Sequence, residues 1–190
     1  MTDDASVQAA FATACSLGSV ECVVFNVAPG YPKDDEGRML GFGKFPGPSG
    51  VNAVQLTSAF DVGVSGCVRV ANHFVPYFVA QGRGSFLVSG ATMGLRGGAG
   101  FACMAPVKAA LRSYCQSLAN MYAKQNVHCA HVVIDGVIDS PATRSWGGNV
   151  MLMDPAHLAS AFVALHEQPP TIWAHELQLT PSGDSIGMRL

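Results

Sequence analysis

The period of apolar and polar positions changes several times along the chain, and each change marks an element. Residues 20–26, VECVVFN, are short, β-branched and almost wholly apolar, as a strand covered on both faces is. GSFLVSG (84–90) and VHCAHVVID (127–135) share that character, and ELQLTP (176–181) is a shorter version. Between these strands the spacing is helical. Asp3 and Asp4 can cap a helix over about 5–17, with Val7, Ala10, Phe11 and Ala14 on its inner side. Val64, Cys67, Val68, Ala71, Phe74, Val75 and Phe78 recur at helical intervals over about 58–81. There Gly63 and Gly66 allow close approach of a neighbour, and Pro76 should bend the helix near its end. Leu111, Tyr114, Cys115, Leu118 and Tyr122 line one side of a third helix, about 102–124. Asp154 followed by Pro155 is an N-cap with proline at the first turn, which starts a helix running to about His166. Residues 30–57 have no clear period. Their GFGKFPGPSG stretch (41–50) concentrates glycine and proline as a flexible loop does.

Helix and strand alternate from the first element to the last. The pattern predicts an α/β fold, a doubly wound parallel sheet of about four strands with helices on both faces. With 190 residues, 49% of them hydrophobic, the expectation is a single domain over 1–190. A net charge of −2 and a pI near 6.3 leave no basic footprint, which argues against nucleic acid and anionic membranes as partners. No apolar run is long enough to span a bilayer, and MTDDAS lacks the start of a signal peptide. Cysteines 15, 22, 67, 103, 115 and 129 form no CxxC pair, so neither zinc nor a disulfide framework is expected. A cytoplasmic protein with reduced cysteines is the simplest reading. The final Met-Arg-Leu only faintly resembles a peroxisomal address, because methionine is a poor first residue for it.

Candidate chemistry gathers in GGAGFACMAPVKAALRSY (97–114), a glycine-rich loop entering an amphipathic helix with Lys108 one turn inside. Lys108 either meets a ligand or packs its stem and sends its ammonium to solvent. His128 and His131 point to opposite faces of a strand, and Cys129 and His131 alone make no metal site. Asp135 is either an acid or base in a pocket or the cap of the turn that follows. Asp139 and Ser140 shape the same loop. Cys103, at a helix start, is either a thiol of lowered pKa or a small buried residue. Trp146, Met151 and Met153 suit an apolar lid and an interface equally well.

Taken in order, VVFNVAPG, GSFLVSGATMGLRGG, the stretch from Met104 to Lys108, VVIDGVIDSP and TIWAHELQLTP resemble successive segments of the short-chain dehydrogenase/reductase family. The phrasing is closest to a divergent branch in which the YxxxK motif is also altered. The resemblance implies a Rossmann-like sheet, NAD(P) as cofactor and a small carbonyl or alcohol substrate. Asn26, Lys108, Gly136 and Ser140 would then be cofactor-binding positions, and Lys108 a catalytic one. In the family a tyrosine phenol exchanges a proton with the substrate oxygen, assisted by lysine, serine and asparagine. Here the tyrosine position is Met104, a thioether that transfers no proton. The serine position is Ala91, with Ser89 and Thr92 as possible substitutes, and the asparagine position is Gly63.

The glycine-rich pyrophosphate loop and three preceding strands of the family domain have no counterpart in the sequence, which makes residues 20–26 a sheet edge. Helices 58–81 and 102–124 resemble the pair through which family members form dimers. Three readings follow. The first is a degenerate relative with impaired turnover. The second is an active reductase or dehydrogenase with a rearranged site, and the third is a non-catalytic scaffold that partners an intact homologue.

Overall fold

A computed structural model describes residues 2–28, 36, 40, 44–145 and 151–183. The chain runs α1 (Asp4–Ser16), β1 (Cys22–Phe25), α2 (Ala53–Phe60), α3 (Gly66–Gln81), β2 (Gly84–Ser89), α4 (Ala105–Tyr122) and β3 (Val127–Ile134). It continues through β4 (Val137–Ile138), α5 (Pro141–Arg144), β5 (Leu152–Met153), α6 (Pro155–His166) and β6 (Glu176–Leu179). β1, β2, β3 and β6 form one parallel sheet in the order β1-β2-β3-β6, the expected α/β architecture.

The apolar strands alternate between two cores. Phe25, Phe86, Val88, Val127 and Cys129 pack with Val7 of α1, Phe74 and Phe78 of α3, and Leu111 and Cys115 of α4. Leu87, Ala130, Val132 and Ile134, which face the other way, pack with Leu158 and Leu165 of α6. Helices therefore cover both faces, which is why β2 and β3 are mostly apolar and even their polar residues, Ser85, Ser89, His128 and His131, are buried.

Several boundaries differ from the sequence expectation. Helical structure begins at Ala53 rather than near 58, because Asn52 accepts from the amides of Val54 and Gln55 and caps it. Residues 48–50 form a single 3₁₀ turn, so the end of the expected 30–57 loop is ordered structure. Gly63 lies in a π turn, Asp61–Ser65, that joins α2 to α3. α4 starts at Ala105, after the 3₁₀ turn Ala99–Phe101. Ala10 is exposed, and only Val7, Phe11 and Ala14 of α1 turn inward. The two-strand parallel pair β4–β5 has no periodic signal, since two residues are too few to show one.

Candidate active-site cleft

The carboxyl ends of β1, β2 and β3 open into a cleft of about 490 Å³. Asn26 and Val27 follow β1, Ser89 to Thr92 leave β2, and Gly136 to Ile138 leave β3, so the walls are strand exits rather than helices. Four of the sequence-selected positions, Asn26, Lys108, Gly136 and Ser140, meet here, together with Ser89, Ala91 and Thr92. Arg96, Phe101 and Thr143 also line the cleft, and nothing in their spacing marked them.

Lys108 is only 6% exposed, so the reading that sends its ammonium to solvent is wrong. Nζ donates to the Ser89 carbonyl at 3.1 Å and the Val27 carbonyl at 3.4 Å. Burial pushes its pKa down to about 8. Gly94 sets this position. A Cβ on Gly94 would sit 3.0 Å from the Lys108 carbonyl, so any other residue at this place in the Thr92–Gly94 turn would push the turn away from α4 by a few tenths of an ångström.

Met104 is 1% exposed and lies outside the cleft lining. Its carbonyl accepts from the Lys108 amide at 3.1 Å and starts α4. Ala91, at the serine position, presents only a methyl to the cleft. The Thr92 hydroxyl donates to Asp135 Oδ1 at 2.6 Å, and Oδ2 accepts from Thr180 at 3.1 Å and Gln178 at 3.2 Å. Asp135, fully buried, therefore neither faces the cleft nor caps a turn. It ties the exits of β2, β3 and β6 together. A hydroxyl whose proton points at Asp135 can only accept from a ligand, not donate to one.

Ser140 is the N-cap of α5, in a reciprocal capping box with Thr143. Asp139 forms an ion pair with Arg144, and this lowers the pKa of its carboxyl. Burial raises the Cys103 thiol, against the lowered-pKa reading. His128 stacks on Trp173 at 4.9 Å, while His131 Nδ1 lies 3.2 Å from Glu176, which holds Arg112 in a bidentate pair. The two histidines lie on opposite faces of β3, as expected, and the described residues include no cluster fit for a metal ion. Met153 packs beside Gly136, where a Cβ would meet its sulfur at 2.6 Å. Trp146 and the C-terminal tripeptide lie outside the described residues. Among the described residues no helix is long and apolar enough to cross a membrane.

The geometry is that of a Rossmann-like oxidoreductase domain. The family model described as enoyl-(acyl carrier protein) reductase matches residues 1–163, and the chain belongs to the short-chain dehydrogenase/reductase family. A short-chain dehydrogenase from Rhodopseudomonas palustris is 24% identical, with a TM-score of 0.72 over 95% of this chain and 71% of that one. A serine dehydrogenase complexed with NADP+ in its closed form is 18% identical, with a TM-score of 0.76 over 100% and 77%. An alcohol dehydrogenase from Thermococcus sibiricus, complexed with 5-hydroxy-NADP, is 20% identical, with a TM-score of 0.74 over 100% and 73%. At these identities the likeness is one of fold. Comparison with curated proteins finds no match.

Proposed function

We propose that this chain is a short-chain dehydrogenase/reductase relative whose NAD(P)-dependent turnover is impaired. The observation that carries the reading is Met104, enclosed in the protein at the position where the resemblance calls for a proton-donating tyrosine. Ala91 and the committed Thr92 hydroxyl add to it, because neither can donate a hydrogen bond to a carbonyl oxygen in the cleft.

The cleft suits the nicotinamide end of a dinucleotide. Lys108, Asn26 and Ser140 offer polar groups there, and the bound cofactor would supply or accept hydride. The pyrophosphate finds no comparable cradle among the described residues. α1 precedes β1, and its first free amides, Ala5 and Ser6, are taken by the Asp3 carboxylate, which repels an anion. Self-association through α3 and α4 accompanies this reading, supported by the small residues Ala109 and Ala110 on α4, which the rest of the chain leaves exposed or half-buried.

Thermal unfolding with NADH or NADPH tests the proposal. The expected result is no stabilisation and no oxidation of the nucleotide with small aldehydes and ketones. Stabilisation with turnover would favour the second reading, an active reductase working through Lys108 and a hydroxyl, Ser89 or Thr92, all of which line one cleft.

A further inference from the structure

Lys108 differs from an ordinary buried lysine in what surrounds its ammonium. Both acceptors are neutral backbone carbonyls, and no carboxylate among the described residues pairs with it. The other polar groups sensed across the packing are Cys67 on α3, a thiol held neutral by burial, and His131 on β3. Two hydrogen bonds occupy two of the three N–H directions, and the residue lines a cleft walled by Met93, Phe101, Ile134, Val137 and Ile138. In this setting a lysine gives up its proton more readily than an exposed one, and it faces a space that favours apolar ligands.

We propose that Lys108 captures apolar aldehydes and ketones as an imine in this cleft. The nitrogen lone pair of neutral Lys108 attacks the carbonyl carbon. One N–H proton passes to the oxygen to give the carbinolamine. Loss of water then leaves a C=N bond to Nζ, so amine plus carbonyl gives imine plus water with no oxidant or reductant. Thr92, which lines the same cleft and can only accept, suits the hydroxyl of the carbinolamine rather than the carbonyl of the free ligand. The inference concerns the cleft with no dinucleotide in it and does not depend on whether turnover is impaired.

The test uses the intact chain with hexanal and sodium cyanoborohydride, which reduces an imine to a stable secondary amine, followed by peptide mapping. At pH 7, Lys108 should be alkylated about tenfold faster than the surface lysine Lys124, because it lines the apolar cleft that gathers the aldehyde and burial lowers its own pKa. Its rate should rise to a plateau above about pH 8. In urea the preference should vanish. Ala91→Leu, which places a larger apolar side chain on the cleft wall, should slow Lys108 labelling while leaving Lys124 unchanged. Labelling of Lys108 no faster than Lys124 in the folded protein, or labelling indifferent to Ala91→Leu, would overturn the proposal. Neither readout involves NAD(P)H, so failure here leaves the proposed loss of turnover untouched.

Discussion

At the scale of single residues, Lys108 is held at a cost to stability. A lysine whose pKa falls to about 8 inside the protein is less stable charged there than in the unfolded chain. Lys108→Met keeps the length of the side chain and removes the charge. It should raise stability at pH 7 by about 1–2 kcal/mol even after two carbonyls lose their donor, measured by chemical denaturation. His131 titrates against the fold in the same way. Burial lowers its pKa below the ordinary 6.5, although Glu176 beside it pulls upward and Arg112 and Lys108 push further down. The unfolded imidazole takes up its proton near 6.5 and the folded one only at lower pH, so the unfolded state binds more protons in that window. Stability should fall as pH drops from 7 to 5, and His131→Gln should flatten part of that fall in melting curves recorded at each pH.

At the scale of elements, the decisive contact lies between the turn after β2 and the first turns of α4. Neither is special alone. The turn places Ala91 and Thr92 on the cleft, the helix places Lys108, and Gly94 lets them meet. Gly94→Ala must move the Lys108 backbone, which has no flexible end to yield. The expected loss is about 1–3 kcal/mol, with Lys108 labelling reduced beyond what the loss of fold explains. Strand and helix identities were legible from period alone for β2, β3 and α4, because most of their inward positions are apolar. The start of α2 and the β4–β5 pair were not legible. One rests on a single capping asparagine, Asn52, and the other on two residues paired across an intervening helix.

At the scale of the whole molecule, β1 pairs among the described residues only with β2, and Val24 on it is 46% exposed. An apolar strand with one unpaired side is a template for association. Val24→Lys should lower light scattering at high protein concentration without changing the melting temperature by more than about 2 °C. The candidate site was readable as a set of positions. Its electrostatics were not, because the partners that define it are remote in sequence. Thr92 and Asp135 are 43 positions apart and Lys108 and Val27 are 81 apart.

The sequence by itself determined the order of the main strands and helices, the parallel sheet and the absence of a tyrosine four residues before Lys108, because periodicity and residue chemistry are local properties. Only the tertiary structure decided that Lys108 is enclosed rather than solvated, that the Thr92 proton is committed to Asp135, and that Met104 is packed away from the cleft. Those depend on which strand ends converge. Convergence is set by packing across the sheet, and no stretch of neighbouring residues contains it.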